Sequence, residues 1–332
     1  MNQMLASLNR VRINWANRQE FFVFALLLVV ISYLSLATDT FLTANNLQNV
    51  ARNFAWIAIP AFGESMVIII GGIDLSVGAV MALAWLVSAL GMRFGLPVFI
   101  AVIAGIASGC LVGWINGSLV GQIRFPPFIV TLGTMSIIRG IIYGLAGGWP
   151  VLDLPASFTS LGQDNLVIGA AAFPVPMIVM LLTAVILALV MNISALGRYI
   201  FALGGNEQVL TVTGIGLAQV KIVVYTLCGC LTAIGGILMT ARLGVAAPTA
   251  ATGYELDIIA ATVIGGTSLF GGEGSVLGVL LGAAFMQILR NGLVLLGFPA
   301  YWQSATIGSM ILLGLLLDYW RQRRVSVLKL PA

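Results

Sequence analysis

The stretch "SMVIIIGGIDLSVGAVMALAWLV", residues 65–87, sets two glycines, an aspartate and a serine between two apolar runs. In lipid, free backbone N–H and C=O groups are costly. Irregular structure survives there only against protein or a water-filled cavity. The Gly71-Gly72 pair favours a break at this point. Asp74 and Ser76 are placed to cap the helix that follows, with Asp74 near its positive N-terminal end. Broken helices are also how transporters present backbone groups to cargo. The stretch therefore reads both as a helix joint and as candidate lining of a polar path, through Gly71, Gly72, Asp74 and Ser76.

The surroundings support a lipid setting. The 332 residues are 60% hydrophobic and 8% charged, against roughly 25% charged in a soluble domain. A net charge of +4 with so few charges leaves no room for a broad basic patch, so nucleic acid is not an expected partner. The chain has no histidine, which excludes a Ser-His-Asp triad, a Cys-His dyad and any His-liganded metal. Cys110, Cys228 and Cys230 lie in apolar runs and read as buried small residues. No "GxxxxGK[ST]" occurs, so the chain has no P-loop for nucleotide.

Ten apolar segments are candidate spans, at 21–38, 54–72, 77–92, 97–121, 127–147, 173–191, 221–241, 257–272, 275–298 and 302–320. Their continuity favours helices over the alternating strands of a membrane barrel. The segments 77–92 and 257–272 are short for a span of about 20 residues and are expected to be tilted, broken or re-entrant. The segment 21–38 is too long for a signal-peptide core and is expected to remain as an anchor. With the N-terminus in the cytoplasm, ten Lys and Arg fall inside (Arg10, Arg12, Arg18, Arg124, Arg198, Lys221, Arg321, Arg323, Arg324, Lys329) and three outside (Arg52, Arg93, Arg242). That asymmetry fits the positive-inside rule with both termini cytoplasmic. The expected organisation is a cytoplasmic segment 1–20, one membrane domain 21–320 and a basic tail 321–332. The fold class is all-α integral membrane protein, with about ten transmembrane helices. A weak internal repeat pairs "GGIDLSVG" and "GWINGSLVGQIRFP" with "GGTSLFGG" and "LRNGLVLLGFP".

Charges inside spans are functional candidates by default. Glu64 sits mid-segment after Pro60, and Arg139 lies within another span. Two roles stay open for Glu64: an ion pair with Arg139 that registers two helices, or a hydrogen-bond acceptor on the substrate path. Asn116 joins the path candidates. Arg290, beside Asn291, is expected to snorkel to the interface. Most of the 39 glycines are expected to be close-packing contacts between helices. The loop 192–220 is too long for a simple connector. It holds a short possible helix from Glu207 to Thr213, with Gly204 and Gly205 before it, Asn206 at its cap and Gly214 at its end. A short capped helix standing off a bundle suits insertion into a groove on another protein.

Six stretches in order carry a resemblance: "IIIGGIDLSVGAVMAL", "NGSLVG", "PPFIVTLGTMSIIRGI", "GRYIFALGGNE", "GYELDIIAATVIGGTSLFGGEGSVLGVLLGA" and "NGLVLLG". Together they cover residues 45 to 318 and resemble the membrane permease subunits of ribose-type ABC importers, which take up sugars and related polar molecules. The resemblance implies about ten helices with both termini cytoplasmic, in the bacterial cytoplasmic membrane. It also implies a second permease copy or a related permease, and an extracytoplasmic solute-binding protein. A separate cytoplasmic ATPase would carry ATP and Mg, so this chain would bind no cofactor and would not be an enzyme. The family's coupling element falls on residues 204–215. Two departures stand out. The broader class has Glu-Ala-Ala in its coupling loop, where Glu207 is followed by Gln208 and Val209. Family members also commonly carry an uncharged residue at the position of Glu64. The competing reading is a secondary transporter driven by an ion gradient, for which Glu64 would be the central carboxylate. An intramembrane enzyme lacks the histidine or paired acids it would need.

Overall fold

The computed structural model describes residues 19–169, 171–207 and 214–327. Arg10, Arg12, Arg18 and Lys329, and with them most of segment 1–20 and the end of the tail, lie outside these. Among the described residues twelve helices form: α1 Gln19–Ala37, α2 Ala44–Ile69, α3 Val77–Arg93, α4 Val98–Gly121, α5 Pro127–Ala146, α6 Ala156–Gln163, α7 Val175–Ile193, α8 Ala195–Gly205, α9 Leu217–Leu243, α10 Tyr254–Ile264, α11 Val276–Leu295 and α12 Ala300–Val327. A small antiparallel hairpin, β1 Asn165–Ile168 and β2 Ala171–Pro174, pairs Asn165 with Pro174 and Leu166 with Phe173.

Each of the ten expected spans overlaps one helix, with α6 and α8 left as connectors. Six helices (α1, α4, α5, α7, α9 and α11) are long and apolar enough to cross a membrane. The other four depart for visible reasons. The first half of α2 carries Asn45, Asn46, Gln48, Asn49, Arg52 and Asn53. The short helix α3 has 17 residues, and α12 ends in the basic run Arg321, Arg323 and Arg324. The segment 257–272 is helical only to Ile264, and the 11 residues of α10 extend about 16 Å at 1.5 Å per residue. Gly265-Gly266 stops it, with Gly266 at φ +96°, as Gly71 at φ +80° stops the chain after α2. The repeat is real at these breaks but not beyond them. Asn116 is buried behind the first break, whereas Asn291 exchanges amide hydrogen bonds of 3.1 and 2.9 Å with Asn46.

The molecule is apolar on the outside, as lipid requires, and its core is apolar too except for a few buried polar groups. Phe99, Ile129, Ile137, Val185 and Ile186 point outward on α4, α5 and α7. The second half of α2 is enclosed from Ala55 to Ile69, with α9 packed along both α2 and α4. Glycines make this possible. On α4 they recur every fourth residue. A Cβ at Gly109 would meet the Gly229 carbonyl at 2.5 Å, at Gly117 the Ile222 Cα at 2.7 Å and at Gly121 the Ala218 carbonyl at 2.9 Å. Without a hydrophobic force between helices in lipid, close backbone packing holds them.

The described residues of the connection between α5 and α7 are pinned to the bundle. Arg52 is only 7% exposed and sits inside α2, not in a loop as the charge count had it. Its guanidinium donates to the Gln163 carbonyl at 3.0 Å and to Asn165 Oδ1 at 2.7 Å. Arg242 donates to Asn49 Oδ1 at 2.8 Å, and its own carbonyl accepts from Gln163 at 3.1 Å. Two arginines thus staple α6 and the hairpin onto the ends of α2 and α9.

Candidate functional site

The break between α2 and α3 is built from buried hydrogen bonds. The Glu64 carboxylate accepts from the Asp74 backbone N–H at 3.0 Å. The Asp74 carboxylate accepts from the backbone N–H of Ser76 at 2.8 Å and from its hydroxyl at 2.5 Å. Ser76 Oγ accepts from Asn116 Nδ2 at 3.1 Å, and Asn116 Oδ1 accepts from the Thr134 hydroxyl at 2.7 Å. Thr131 donates to the Ile73 carbonyl at 3.1 Å. Glu64, Asp74, Ser76, Asn116 and Thr131 are all at most 2% exposed. Three polar groups of the broken backbone, the N–H groups of Asp74 and Ser76 and the Ile73 carbonyl, thus have side-chain partners, as irregular structure at membrane depth requires. Asp74 holds the N–H of Ser76, the residue before α3, and bonds no N–H inside the helix. Ser76 is the N-cap residue but makes no side-chain capping bond to the helix. Its hydroxyl bridges Asp74 and Asn116 instead.

Two expectations fail here. Glu64 does not pair with Arg139. Arg139 donates to the carbonyls of Ala250 at 2.9 Å and Ala251 at 3.0 Å, tying α5 to the turn before α10. Glu64 has no cationic partner among the described residues, and Cys228 Sγ on α9 lies 3.9 Å from its second oxygen. Nor does Arg290 snorkel freely. It donates to Asp257 Oδ2 at 2.8 Å, and its guanidinium stacks over the Tyr254 ring at 5.3 Å. Asp257 is buried and needs that cation.

The other candidates meet at an open cavity of about 1020 Å³ beside the break. Gly71 and Gly72 line one side, Gly204, Gly205, Asn206 and Glu207 another, and Arg124, Lys221 and Tyr225 complete the wall. The structure therefore divides the expected path residues. Gly71 and Gly72 face the cavity, whereas Glu64, Asp74, Ser76 and Asn116 form the buried network behind it.

The coupling candidates sit at a backbone junction. The Ile69 carbonyl, last in α2, accepts from the Gly272 N–H at 2.9 Å in the second break. Gly204, near the end of α8, is wedged against both. A Cβ there would overlap the Ile69 oxygen and lie 2.5 Å from the Gly272 nitrogen. Both glycine breaks and the connector helix thus share one contact. The observed helix in the loop 192–220 is α8, capped by Ser194, whose hydroxyl accepts from the Gly197 N–H at 3.2 Å. The expected helix from Glu207 to Thr213 lies outside the described residues beyond Glu207. Asn206 is extended at the end of α8, and Glu207 pairs with Lys221 at 2.9 Å. Gly214, at φ +76°, leads towards α9, and a Cβ there would meet nothing within 4 Å among the described residues.

The sequence offered little sign of Thr131, Thr134 or Tyr225. Single hydroxyls in apolar helices carry no periodic signal. Among the described residues, no group of three or more acidic or cysteine side chains is placed to hold a metal.

Residues 46–315 match the family model described as branched-chain amino acid transport system / permease component. The chain is 40% identical over 299 residues to the ribose import permease protein RbsC of Escherichia coli K12, covering 89% of this chain and 92% of that one. It is 39% identical over 294 residues to RbsC of Bacillus subtilis strain 168, covering 88% and 90%. It is 35% identical over 305 residues to the D-allose transport system permease protein AlsC of E. coli K12, covering 92% of each chain. No solved structure matches the chain significantly. The matches run through the break, the cavity wall and the α8 junction alike, and the chain therefore belongs to the family of ribose-type ABC importer permeases, as a non-catalytic, multi-pass membrane subunit.

Proposed function

We propose that this chain forms the pathway by which a monosaccharide or similar polyol enters the cell, by alternating access powered by a separate ATPase. In this reading ten helices span the membrane and both termini are cytoplasmic. A second copy or a related permease completes the conduit. An extracytoplasmic binding protein delivers cargo at the face carrying α6 and the hairpin. Cytoplasmic ATPase subunits, holding ATP and Mg, engage residues 204–214. The relatives named for ribose and D-allose support a sugar as cargo.

The observation that carries the mechanism is the contact of Gly204 with Ile69 and Gly272. A displacement of α8 by an ATPase must move the ends of both breaks, because backbone meets backbone with no side chain between them to absorb it. The coupling is energetic only in so far as nucleotide and binding protein favour different arrangements of this junction.

The test is uptake into vesicles holding the permease with its ATPase and binding protein, offered ribose, D-allose, fructose and xylose in turn. The expected result is uphill uptake of one of them that requires ATP and the binding protein and survives an uncoupler. Uphill uptake by this chain without any ATPase, abolished by an uncoupler, favours the ion-gradient carrier instead.

A further inference from the structure

Tyr225, on α9, is among the largest fully buried side chains, and it lines the cavity beside the break. Its hydroxyl has no hydrogen-bond partner among the described residues. Gly72, also a wall residue of that cavity, lies directly against this hydroxyl. A Cβ at position 72 would overlap it. A buried hydroxyl without a partner is unfavourable. Here the missing partner is one that a molecule in the cavity can supply, once the glycine segment over it moves.

We propose that Tyr225 is a cargo contact of the inward-facing cavity, bonding one hydroxyl of a neutral polyhydroxylated solute as the 70–76 segment shifts. The assignment rests on the sugar reading above. The ligand class follows from the sugar reading, and a sugar hydroxyl can both donate to and accept from a phenol. Gly71 and Gly72 supply the conformational freedom the motion needs, since Gly71 already holds φ +80°. The cavity volume of about 1020 Å³ leaves room for such a solute. Among the charged wall residues, Glu207 and Lys221 pair at 2.9 Å, and Arg124 is a further cation.

The experiment is Tyr225→Phe in the complete importer, with uptake, ATP hydrolysis and thermal unfolding measured together. The hydroxyl bonds to nothing in the protein, so unfolding should stay at or above the wild-type temperature. Hydrolysis stimulated by the binding protein should be retained. Uptake of the transported sugar should fall roughly tenfold, the loss of one hydrogen bond of about 1.4 kcal/mol. A series of monodeoxy analogues of that sugar supplies the second readout. For one of them, wild type and Tyr225→Phe should transport equally. Wild-type uptake by the variant overturns the assignment and leaves the sugar reading intact. An equal loss for every analogue, or a lowered unfolding temperature, makes the hydroxyl structural and also overturns it. Failure of the wild-type importer to move any sugar removes the sugar reading itself, and the assignment with it.

Discussion

Gly204→Ala tests the junction directly. The added methyl would lie 2.5 Å from the Gly272 nitrogen and 2.8 Å from the Ile69 carbonyl carbon, against roughly 3.5–4.0 Å for unstrained contact between carbon atoms. Both obstacles are backbone, so no rotamer change relieves them. Helix α8 must move away by an ångström or more, or the Gly272–Ile69 hydrogen bond of 2.9 Å must open. Overpacking of this kind costs about 1–3 kcal/mol, and loss of the hydrogen bond adds about 1 kcal/mol. The sum is about 2–4 kcal/mol, enough to lower the unfolding temperature of the purified permease measurably. Gly205→Ala is the internal control. A Cβ there meets nothing within 4 Å, and alanine is favoured over glycine in a helix by up to about 1 kcal/mol. In reconstituted vesicles Gly204→Ala should keep ATP hydrolysis while lowering the sugar moved per ATP, because the ATPase-facing end remains but its contact with the breaks is displaced. Wild-type stability and coupling in Gly204→Ala, or an equal defect in Gly205→Ala, would refute the junction as the route of coupling.

Three further outcomes follow from the same geometry. Glu64→Gln keeps an oxygen for the Asp74 N–H and should retain uptake within about twofold, whereas Glu64→Ala strands that buried donor at a cost of about 1–3 kcal/mol and should reduce folded protein in the membrane. A charge-dependent role for Glu64 would show as loss of uptake in the Gln variant at normal abundance. Arg290→Leu leaves Asp257, whose side chain is 3% exposed, without its cation, and should destabilise by roughly 3–5 kcal/mol in detergent unfolding. Glu207→Gln removes an ion pair whose carboxylate side chain is 56% exposed, so the unfolding temperature should hardly move, since exposed pairs contribute about 0–1 kcal/mol.

Composition and run length settled the class of the molecule, since a chain with 8% charge can satisfy its backbone in lipid only by helices or a closed barrel, and long continuous apolar runs select helices. The first glycine break was legible too, because Gly71-Gly72 followed by Asp74 and Ser76 is a local signal, whereas at Gly265-Gly266 only the shortness of segment 257–272 pointed to a tilt, a break or a re-entrant turn. The ordered motifs from residue 45 to 318 pointed to the family. Partner choice was not legible. Glu64 and Arg139 looked like a pair because they were opposite charges in apolar runs. The fold instead gives Glu64 a backbone N–H ten residues away and Arg139 two carbonyls more than a hundred residues away. Likewise Tyr225 became visible only when α9 packed over Gly72, and Gly204 only when α8 met both breaks at one point. Secondary structure in lipid is dictated by each segment's own need to satisfy its backbone. Long-range contacts depend on which helix faces meet, and that emerges only when the glycine-lined surfaces close on one another.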